Sequence, residues 1–386
     1  MTTYSAPAPA SSDSGAGLKL LSLFLGLAVV VMGSFGLWLA LSAQHASDDA
    51  SRAADRAGTA PAASASMPGM DVSGTATASQ APTSFAGAAP ADADAIAMRH
   101  TAFPAALPAA PAGPVANVHL GISHDTIQIA PGITYQAWTF GGTAPGQVVH
   151  VREGQLVKVT LKNTSPMPHS VDFHAARIAP NVAFSDIAPG ATKSFQFRAN
   201  DPGVYMVHCG TAPAFMHIAN GMYFAIVVEP ANMPPADVNY VLVASEWYLD
   251  KDGLNGAAGL DLVKAEQMNP DWMTWNGYAG QYKTHPLTAE PGQTVRFWVV
   301  DAGPSLDTDF HVVGTLLNRA WVNADLTSAP QRNIQTAVVP AGGGGVFDVK
   351  IDEPGIYPFV SHSFASVMLG QVGLLKVGDV PGTMSH

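Results

Sequence analysis

The apolar residues form one long run near the N-terminus and many short runs after residue 116. The long run, Leu20–Ala43, has no charged residue. As a helix it would measure about 36 Å, enough to cross a hydrocarbon core of about 30 Å. A cleaved signal peptide has a shorter apolar region of about 7–15 residues, with a small-residue cleavage site after it. We therefore predict a short tail at 1–19 and a membrane anchor at 20–43, with a signal peptide as the alternative.

The flanking charges predict an orientation for this anchor. Lys19 precedes the run, and Asp48 and Asp49 follow it. Since positive flanks favour the cytoplasmic side, the rest of the chain is expected outside the cytoplasm, which in a two-membrane cell is the periplasm.

Residues 44–115 carry no sustained apolar period. They are mostly Ala, Ser, Pro, Gly and Thr. A segment with so few aromatic and β-branched residues cannot bury enough apolar surface to fold alone. We therefore predict a flexible linker over 44–115.

Short alternating or β-branched runs begin after residue 116 and are separated by Pro-Gly and Asn/Asp turn signals. Such runs at close spacing are typical of a β-sandwich or a Greek-key barrel. The runs in the first half are Thr126–Ile129, Val148–Val151, Leu156–Leu161, Ser194–Arg198 and Tyr223–Val228.

The same pattern recurs in the second half. Asn200-Asp201-Pro202-Gly203-Val204-Tyr205 resembles Asp352-Glu353-Pro354-Gly355-Ile356-Tyr357. A repeat of this length indicates two tandem copies of one unit. The predicted fold is all-β, with two tandem Greek-key β-sandwiches at 116–230 and 231–380.

The composition argues against several classes of function. The chain has 18 Lys and Arg against 29 Asp and Glu, a net charge of −11. Proteins that bind nucleic acid usually carry basic patches, so we predict no nucleic-acid partner. The single cysteine, Cys209, excludes an internal disulfide, a CxxC pair and an all-cysteine zinc site.

Cys209 is spaced like a metal ligand. His169 lies forty residues before it, and His217 and Met222 follow it at eight and thirteen residues. One thiolate, two imidazoles and a weak thioether are the ligands of a blue-copper electron-transfer site. A lone buried cysteine would more simply be a small apolar residue, but the two histidines and the methionine at these spacings favour type 1 copper.

The motifs around these residues resemble the copper-containing nitrite reductases over roughly residues 116–380. The matching segments are His169-Ser-Val-Asp172-Phe173-His174, His208-Cys209-Gly210-Thr211 and His217-Ile-Ala-Asn-Gly-Met222. The resemblance implies that both sandwiches are cupredoxin-like. It also implies the reduction of nitrite to nitric oxide by two coppers per chain, with Cys209-His208 joining them.

The resemblance also assigns the remaining site residues. It implies a type 2 copper held by His174, His208 and, from a neighbouring subunit of a homotrimer, His362. It further implies catalytic roles for Asp172 and His311, since reducing nitrite consumes protons and both side chains can carry one. The electron donor is expected to be a small cupredoxin or a c-type cytochrome.

Two other functions stay open at this point. A two-domain multicopper oxidase builds its copper cluster from His-x-His pairs, and the chain contains none. A membrane-tethered blue-copper electron carrier would need only the type 1 ligands, and it gives no reason for His174, His208, His311 and His362. A count of bound copper separates the three, since the reductase predicts two per chain, the carrier one and the oxidase four.

Overall fold

The structure is a computed structural model that describes residues 90–381. The predicted tail at 1–19, the predicted anchor at 20–43 and the linker up to residue 89 lie outside the described residues. Within 90–381, no helix is long and apolar enough to cross a membrane.

The first sandwich pairs a four-stranded sheet of order β2-β1-β4-β6 with another of order β3-β8-β7-β5. Its strands are β1 (Val115–Ala130), β2 (Ile133–Phe140), β3 (Val149–Arg152), β4 (Leu156–Asn163), β5 (Asp172–Phe173), β6 (Thr192–Arg198), β7 (Gly203–His208) and β8 (Tyr223–Glu229).

The second sandwich pairs two five-stranded sheets, of order β10-β9-β12-β16-β14 and β11-β18-β17-β13-β15. Its strands are β9 (Val238–Trp247), β10 (Trp272–Trp275), β11 (Leu287–Ala289), β12 (Thr294–Asp301), β13 (Thr308–Val312), β14 (Arg319–Trp321), β15 (Ala337–Val339), β16 (Gly344–Lys350), β17 (Gly355–Ser361) and β18 (Val372–Val377).

Short helices lie between the strands or before them. They are α1 (Ala93–Arg99), α2 (Pro180–Ala183), α3 (Ala214–Ala219), α4 (Leu262–Glu266), α5 (Gln281–Thr284) and α6 (Phe364–Met368), with a 3-10 turn at Val322–Ala324.

The two sandwiches have one topology. The order β2-β1-β4-β6 matches β10-β9-β12-β16, and β3-β8-β7-β5 matches β11-β18-β17-β13. A short helix follows the equivalent strands β7 and β17, and each helix ends before a glycine at positive φ, Gly221 and Gly370. The prediction of a β-rich fold with cupredoxin-like sheets is confirmed.

The order of apolar and polar residues in a strand depends on whether one or both of its faces are buried. Strand β4 alternates apolar and polar residues because one of its faces meets solvent. Strand β8 is buried along nearly its whole length because its sheet also packs on the second sandwich. In this sheet, Met206 of β7 and Tyr223 and Ala225 of β8 share a buried cluster with Val243 and Trp298 of the second sandwich.

The structure differs from the predicted linker over residues 90–115. Residues 93–99 form α1, and residues 103–114 lie along both sandwiches as a segment that we call the strap. Ala105 accepts from the Val241 amide at 2.7 Å, and Leu107 donates to the Asn239 carbonyl at 3.0 Å. Backbone groups of a Pro-rich segment make these contacts, so the apolar pattern could not predict them.

Candidate metal centres

Four of the predicted ligands come together at one end of the first sandwich. Cys209 directly follows β7, and His217 lies in α3. His169, in the connection between β4 and β5, is held by backbone hydrogen bonds to Ile187 in both directions. The Cys209 amide donates to the Met222 carbonyl at 3.1 Å, which places Met222 beside the cysteine.

The ligand atoms of His169, Cys209 and His217 are close enough to share one metal ion. His217 Nδ1 lies 3.2 Å from Cys209 Sγ and 3.0 Å from His169 Nδ1, and the third side of the triangle, His169 Nδ1 to Sγ, is 3.8 Å. Nitrogen and sulfur ligands typically lie about 2.0–2.3 Å from a bound metal, so such separations are of the right size.

Burial prepares these side chains to bind a metal. Cys209, His169 and Met222 have no exposed surface. Burial lowers the pKa of His169 to about 3, helped by His217 and His124, and burial likewise lowers that of His217 to about 4. Both rings are therefore neutral near pH 7, the form that coordinates a metal.

A backbone amide donates a hydrogen bond to the sulfur. The Ser170 amide donates to Cys209 Sγ at 3.3 Å, and the Ser170 hydroxyl accepts from the Gly210 amide at 3.1 Å. Hydrogen bonds to the thiolate of a blue-copper site tune its reduction potential. The donor set thus fits type 1 copper.

One residue at this site, His124, is not among the site residues that the sequence predicts. His124 Nε2 lies 3.0 Å from His169 Nε2, on the side of that ring away from Cys209. No motif marks His124, because its contact depends on the register of β1 against β2, which pairs it with Trp138.

A second group lies at the surface, on the other side of the Cys209 backbone. The ligand atoms of Asp172, His174 and His208 all lie within 4.8 Å of one another. Strand β5 pairs with the end of β7, Asp172 opposite His208, and this pairing brings the three side chains together.

Backbone carbonyls fix both histidine rings of this second group. His208 Nδ1 donates to the Cys209 carbonyl at 2.9 Å, and His174 Nδ1 donates to the Gly342 carbonyl at 3.1 Å. Their Nε2 atoms then face each other at 3.0 Å. A ligating histidine commonly donates its other ring N–H to a carbonyl in this way, so the pair fits a metal held through Nε2.

The structure places His311 and His362 together, in the second sandwich. His311 lies in β13 and His362 directly after β17, with ring centroids 5.3 Å apart. His311 Nδ1 donates to the Gln335 carbonyl at 2.7 Å. Among residues 90–381, the group formed by Asp172, His174 and His208 does not include His362.

Comparison with known proteins agrees with this arrangement. A protein-family profile described as multicopper oxidase matches residues 122–233. The copper-containing nitrite reductase of Neisseria gonorrhoeae is 39% identical over 259 residues, 65% of this chain and 66% of that protein. The one from Pseudomonas chlororaphis is 31% identical, with 64% of this chain matched and 74% of that protein covered.

The chain belongs to the copper-containing nitrite reductases.

Solved structures agree with this membership. The copper nitrite reductase of Nitrosomonas europaea superposes with a TM-score of 0.64 and 33% identity, and the match covers 69% of this chain and 94% of that one. A multicopper oxidase superposes with a TM-score of 0.60 at 23% identity, a likeness of fold alone. As a member of the copper-containing nitrite reductases the chain is an oxidoreductase and a copper protein. Its match spans about two thirds of the length of the Neisseria relatives.

Proposed function

We propose that the chain reduces nitrite to nitric oxide and water. One nitrite, one electron and two protons give one nitric oxide and one water, as one N–O bond breaks and its oxygen leaves as water. Type 1 copper would be held by His169, Cys209, His217 and Met222. Type 2 copper would be held by His174 and His208 with His362 of a neighbouring subunit.

One observation carries the proposal. His208 and Cys209 are adjacent in sequence, yet their side chains belong to two different ligand groups. The copper ions, when bound, supply one-electron transfer and a Lewis-acidic position for nitrite. The Cys209–His208 peptide link then provides a short covalent route for the electron from the buried group to the surface group.

Two further side chains would hold the protons that the reaction consumes. Asp172 lies beside His174 and His208, where its carboxylate can hydrogen-bond nitrite and pass on a proton. The Nδ1–H of His311 is engaged by Gln335, which leaves Nε2 as the atom that carries the second proton. Both roles are proposed from the family resemblance together with this geometry.

The separation of His362 from His174 and His208 supports a shared site in a homotrimer. His362 is exposed, and apolar side chains around it are exposed too: Phe364 is 56% exposed, and Val338, on the strand next to that of His311, 49%. Exposed apolar side chains beside a polar functional residue are typical of a surface that a partner covers.

The variant His362→Ala tests the reaction assignment. It should lose nitrite turnover by at least about 100-fold, because the catalytic metal loses one of its three protein ligands, while the thiolate absorption of Cys209-bound copper stays. The control His285→Ala removes a histidine outside both groups and should keep full turnover. Undiminished turnover in His362→Ala would refute the type 2 assignment.

Mixed oligomers test the sharing of ligands between subunits. Chains with His174→Ala and chains with His362→Ala should each be inactive alone. Co-expressed, they should form some complete sites, each using His174 and His208 of one chain and His362 of the next. If the mixture stays as inactive as its components, each site is built within one chain and the trimer proposal fails.

The copper count distinguishes the alternatives. Two coppers per chain support the reductase, one supports a tethered blue-copper carrier, and four support a multicopper oxidase.

In the proposal, residues 20–43 anchor the protein with its sandwiches in the periplasm, and a cupredoxin or c-type cytochrome donates electrons near His217 and Met222. Deleting residues 1–43 should release active, water-soluble oligomers, and a deletion variant that still requires detergent would contradict the anchor.

A further inference from the structure

His124 contacts the ring of His169 at the atom that faces away from the metal group. His169 directs Nδ1 at Cys209 and His217, and its Nε2 lies 3.0 Å from His124 Nε2. His169 itself has no exposed surface, whereas His124 is half-buried. The contact with His124 therefore lies on the side of the buried ligand group that is nearer to solvent.

The position of His124 is fixed by its cross-strand neighbour. His124 in β1 lies opposite Trp138 in β2, and the two rings stack with centroids 5.2 Å apart and planes 11° from parallel. The Trp138 ring also packs edge-on against His169 and His217, at 5.4 and 4.8 Å. The stack holds the His124 ring in hydrogen-bond range of His169.

The direction of this hydrogen bond follows from the chemistry of a neutral imidazole. When Nδ1 is the ligand atom, Nε2 carries the ring proton. His169 Nε2–H then donates, and His124 Nε2 accepts. Metal-bound histidines usually donate to a carboxylate, a carbonyl or water, and such acceptors raise the basicity of the ligand. Here the acceptor is a second imidazole, that of His124.

We propose that His124 is a positioning residue of the type 1 copper site, which fixes the tautomer of His169 and lowers the reduction potential of the copper that His169 binds. The inference rests on the proposed function, because it needs copper at His169, Cys209 and His217. The physical reason is that a more basic ligand stabilises the more highly charged, oxidised ion.

Three variants separate the hydrogen bond from the packing. His124→Phe keeps a ring over Trp138 but has no acceptor, and His124→Leu removes both. His124→Gln restores an acceptor near the former Nε2 position without the ring. The matched control is His119→Phe, at an exposed histidine five residues earlier on the same strand.

Redox titration of copper-loaded protein, followed by the thiolate absorption of Cys209, gives the decisive readout. The potentials of His124→Phe and His124→Leu should both shift to more positive values. His124→Gln should lie close to the unchanged protein, and so should His119→Phe. Copper content and absorption spectrum are recorded for each variant, so that loss of the site is distinguished from a shift.

Two outcomes overturn the inference. If His124→Phe and His124→Leu keep the original potential with full copper, the hydrogen bond does not tune the site. If His124→Gln shifts as far as His124→Phe, packing on Trp138 rather than the acceptor sets the potential. Failure of the proposed function would look different: the unchanged protein would form no nitric oxide from nitrite, whatever potentials the variants show. If copper does not bind at His169, Cys209 and His217 at all, the unchanged protein would also show no thiolate absorption.

Discussion

Cys209 occupies a junction between a buried environment and an exposed one. Its side chain points into the core of the first sandwich, and the residue before it, His208, is half-buried at the surface with the exposed His174. Because successive residues of an extended chain point to opposite faces, His208 at the end of β7 and Cys209 directly after it reach two different ligand groups. The electron route of the proposal depends on this alternation.

The proton role of Asp172 is tested by Asp172→Asn. The amide keeps the size of the side chain but cannot carry the proton, so turnover should fall by about 100-fold or more, the usual contribution of a positioned acid or base. Nitric oxide formation and copper content are the measurements. Asp94→Asn, at an exposed carboxylate of α1, is the control. Full activity in Asp172→Asn with both coppers bound would remove Asp172 from the mechanism.

A buried carboxyl that belongs to neither ligand group predicts a pH dependence of stability. Burial raises the pKa of Asp301 to about 8. Its Oδ1 accepts from the Gly303 amide, while its fully buried Oδ2 has no partner among the described residues. The folded chain therefore holds a proton that the unfolded chain has released, and stability present below about pH 4 is lost as the pH rises toward 8.

Asp301→Asn should flatten this dependence. Since the amide does not ionise, the variant should lose less stability between pH 5 and pH 8 than the unchanged protein, which loses up to about 1.4 kcal/mol per pH unit from this group. Urea unfolding midpoints at both pH values measure the difference. Asp379→Asn, at an exposed carboxylate, should behave like the unchanged protein. Equal slopes for all three proteins would contradict the assignment.

Residue types and spacing predicted the ligands of the buried group, and the family resemblance implied the residues of the second group. Cys209, His217 and Met222 lie on one loop, so their proximity follows from the chain itself. His124 could not be found in this way, because its contact with His169 requires the register of β1 against β2 and the stack on Trp138.

At the scale of elements, the segment from α3 to β8 presents His217 and Met222. Met222 donates its amide to the His217 carbonyl at 3.1 Å, and Gly221 between α3 and Met222 adopts a φ of 106°. A Cβ added at Gly221 would lie 2.9 Å from the Ala144 Cβ. Only glycine fits this turn, since it needs both the positive φ and the close approach.

Gly221→Ala should therefore weaken the type 1 site. We expect loss of thiolate absorption or weaker copper retention under dialysis, together with a lower melting temperature. Gly154→Ala is the matched control, because Gly154 also has a positive φ, 82°, but no atom lies within 4 Å of an added Cβ. If both variants retain copper equally, the close packing at Gly221 has no role in the site.

The five strand runs predicted in the first half all correspond to strands, but β2, β5 and β7 were not predicted, nor was the length of β1. The runs Leu156–Leu161 and Tyr223–Val228 correspond to β4 and β8. By contrast β1, predicted only at Thr126–Ile129, spans 16 residues, because pairing with β2 and β4 sustains it through stretches without alternation. Partner strands supply hydrogen bonds that a local pattern cannot reveal.

At the scale of the whole molecule, the strap joins the two sandwiches from outside. On the first sandwich, Pro108 accepts from His150 Nδ1 at 2.6 Å, and Pro111 accepts from Gln155 Nε2 at 2.9 Å. On the second, the Phe103 amide donates to Gln281 Oε1 at 2.7 Å. These bonds satisfy buried or half-buried polar groups on both sandwiches, which makes the strap part of the folded body.

Two N-terminal deletions test the strap. Removing residues 1–89 leaves the strap contacts described above in place. The melting temperature of this deletion variant should therefore equal that of a chain without residues 1–43. Removing residues 1–114 leaves polar groups of His150, Gln155 and Gln281 without these partners, at a cost of about 1–3 kcal/mol for each buried group. A lower melting temperature is expected for the second deletion only. Equal values for both would show that the strap does not stabilise the sandwiches.

The most direct test of the central claim is an electrode measurement of nitric oxide formed from nitrite without oxygen. It uses the full chain after its copper has been counted, with a reduced small-molecule electron donor. The proposal predicts steady nitric oxide formation at two coppers per chain, and near-complete loss in Cys209→Ser, where the electron route is cut. Protein with two coppers per chain that forms no nitric oxide from nitrite would contradict it.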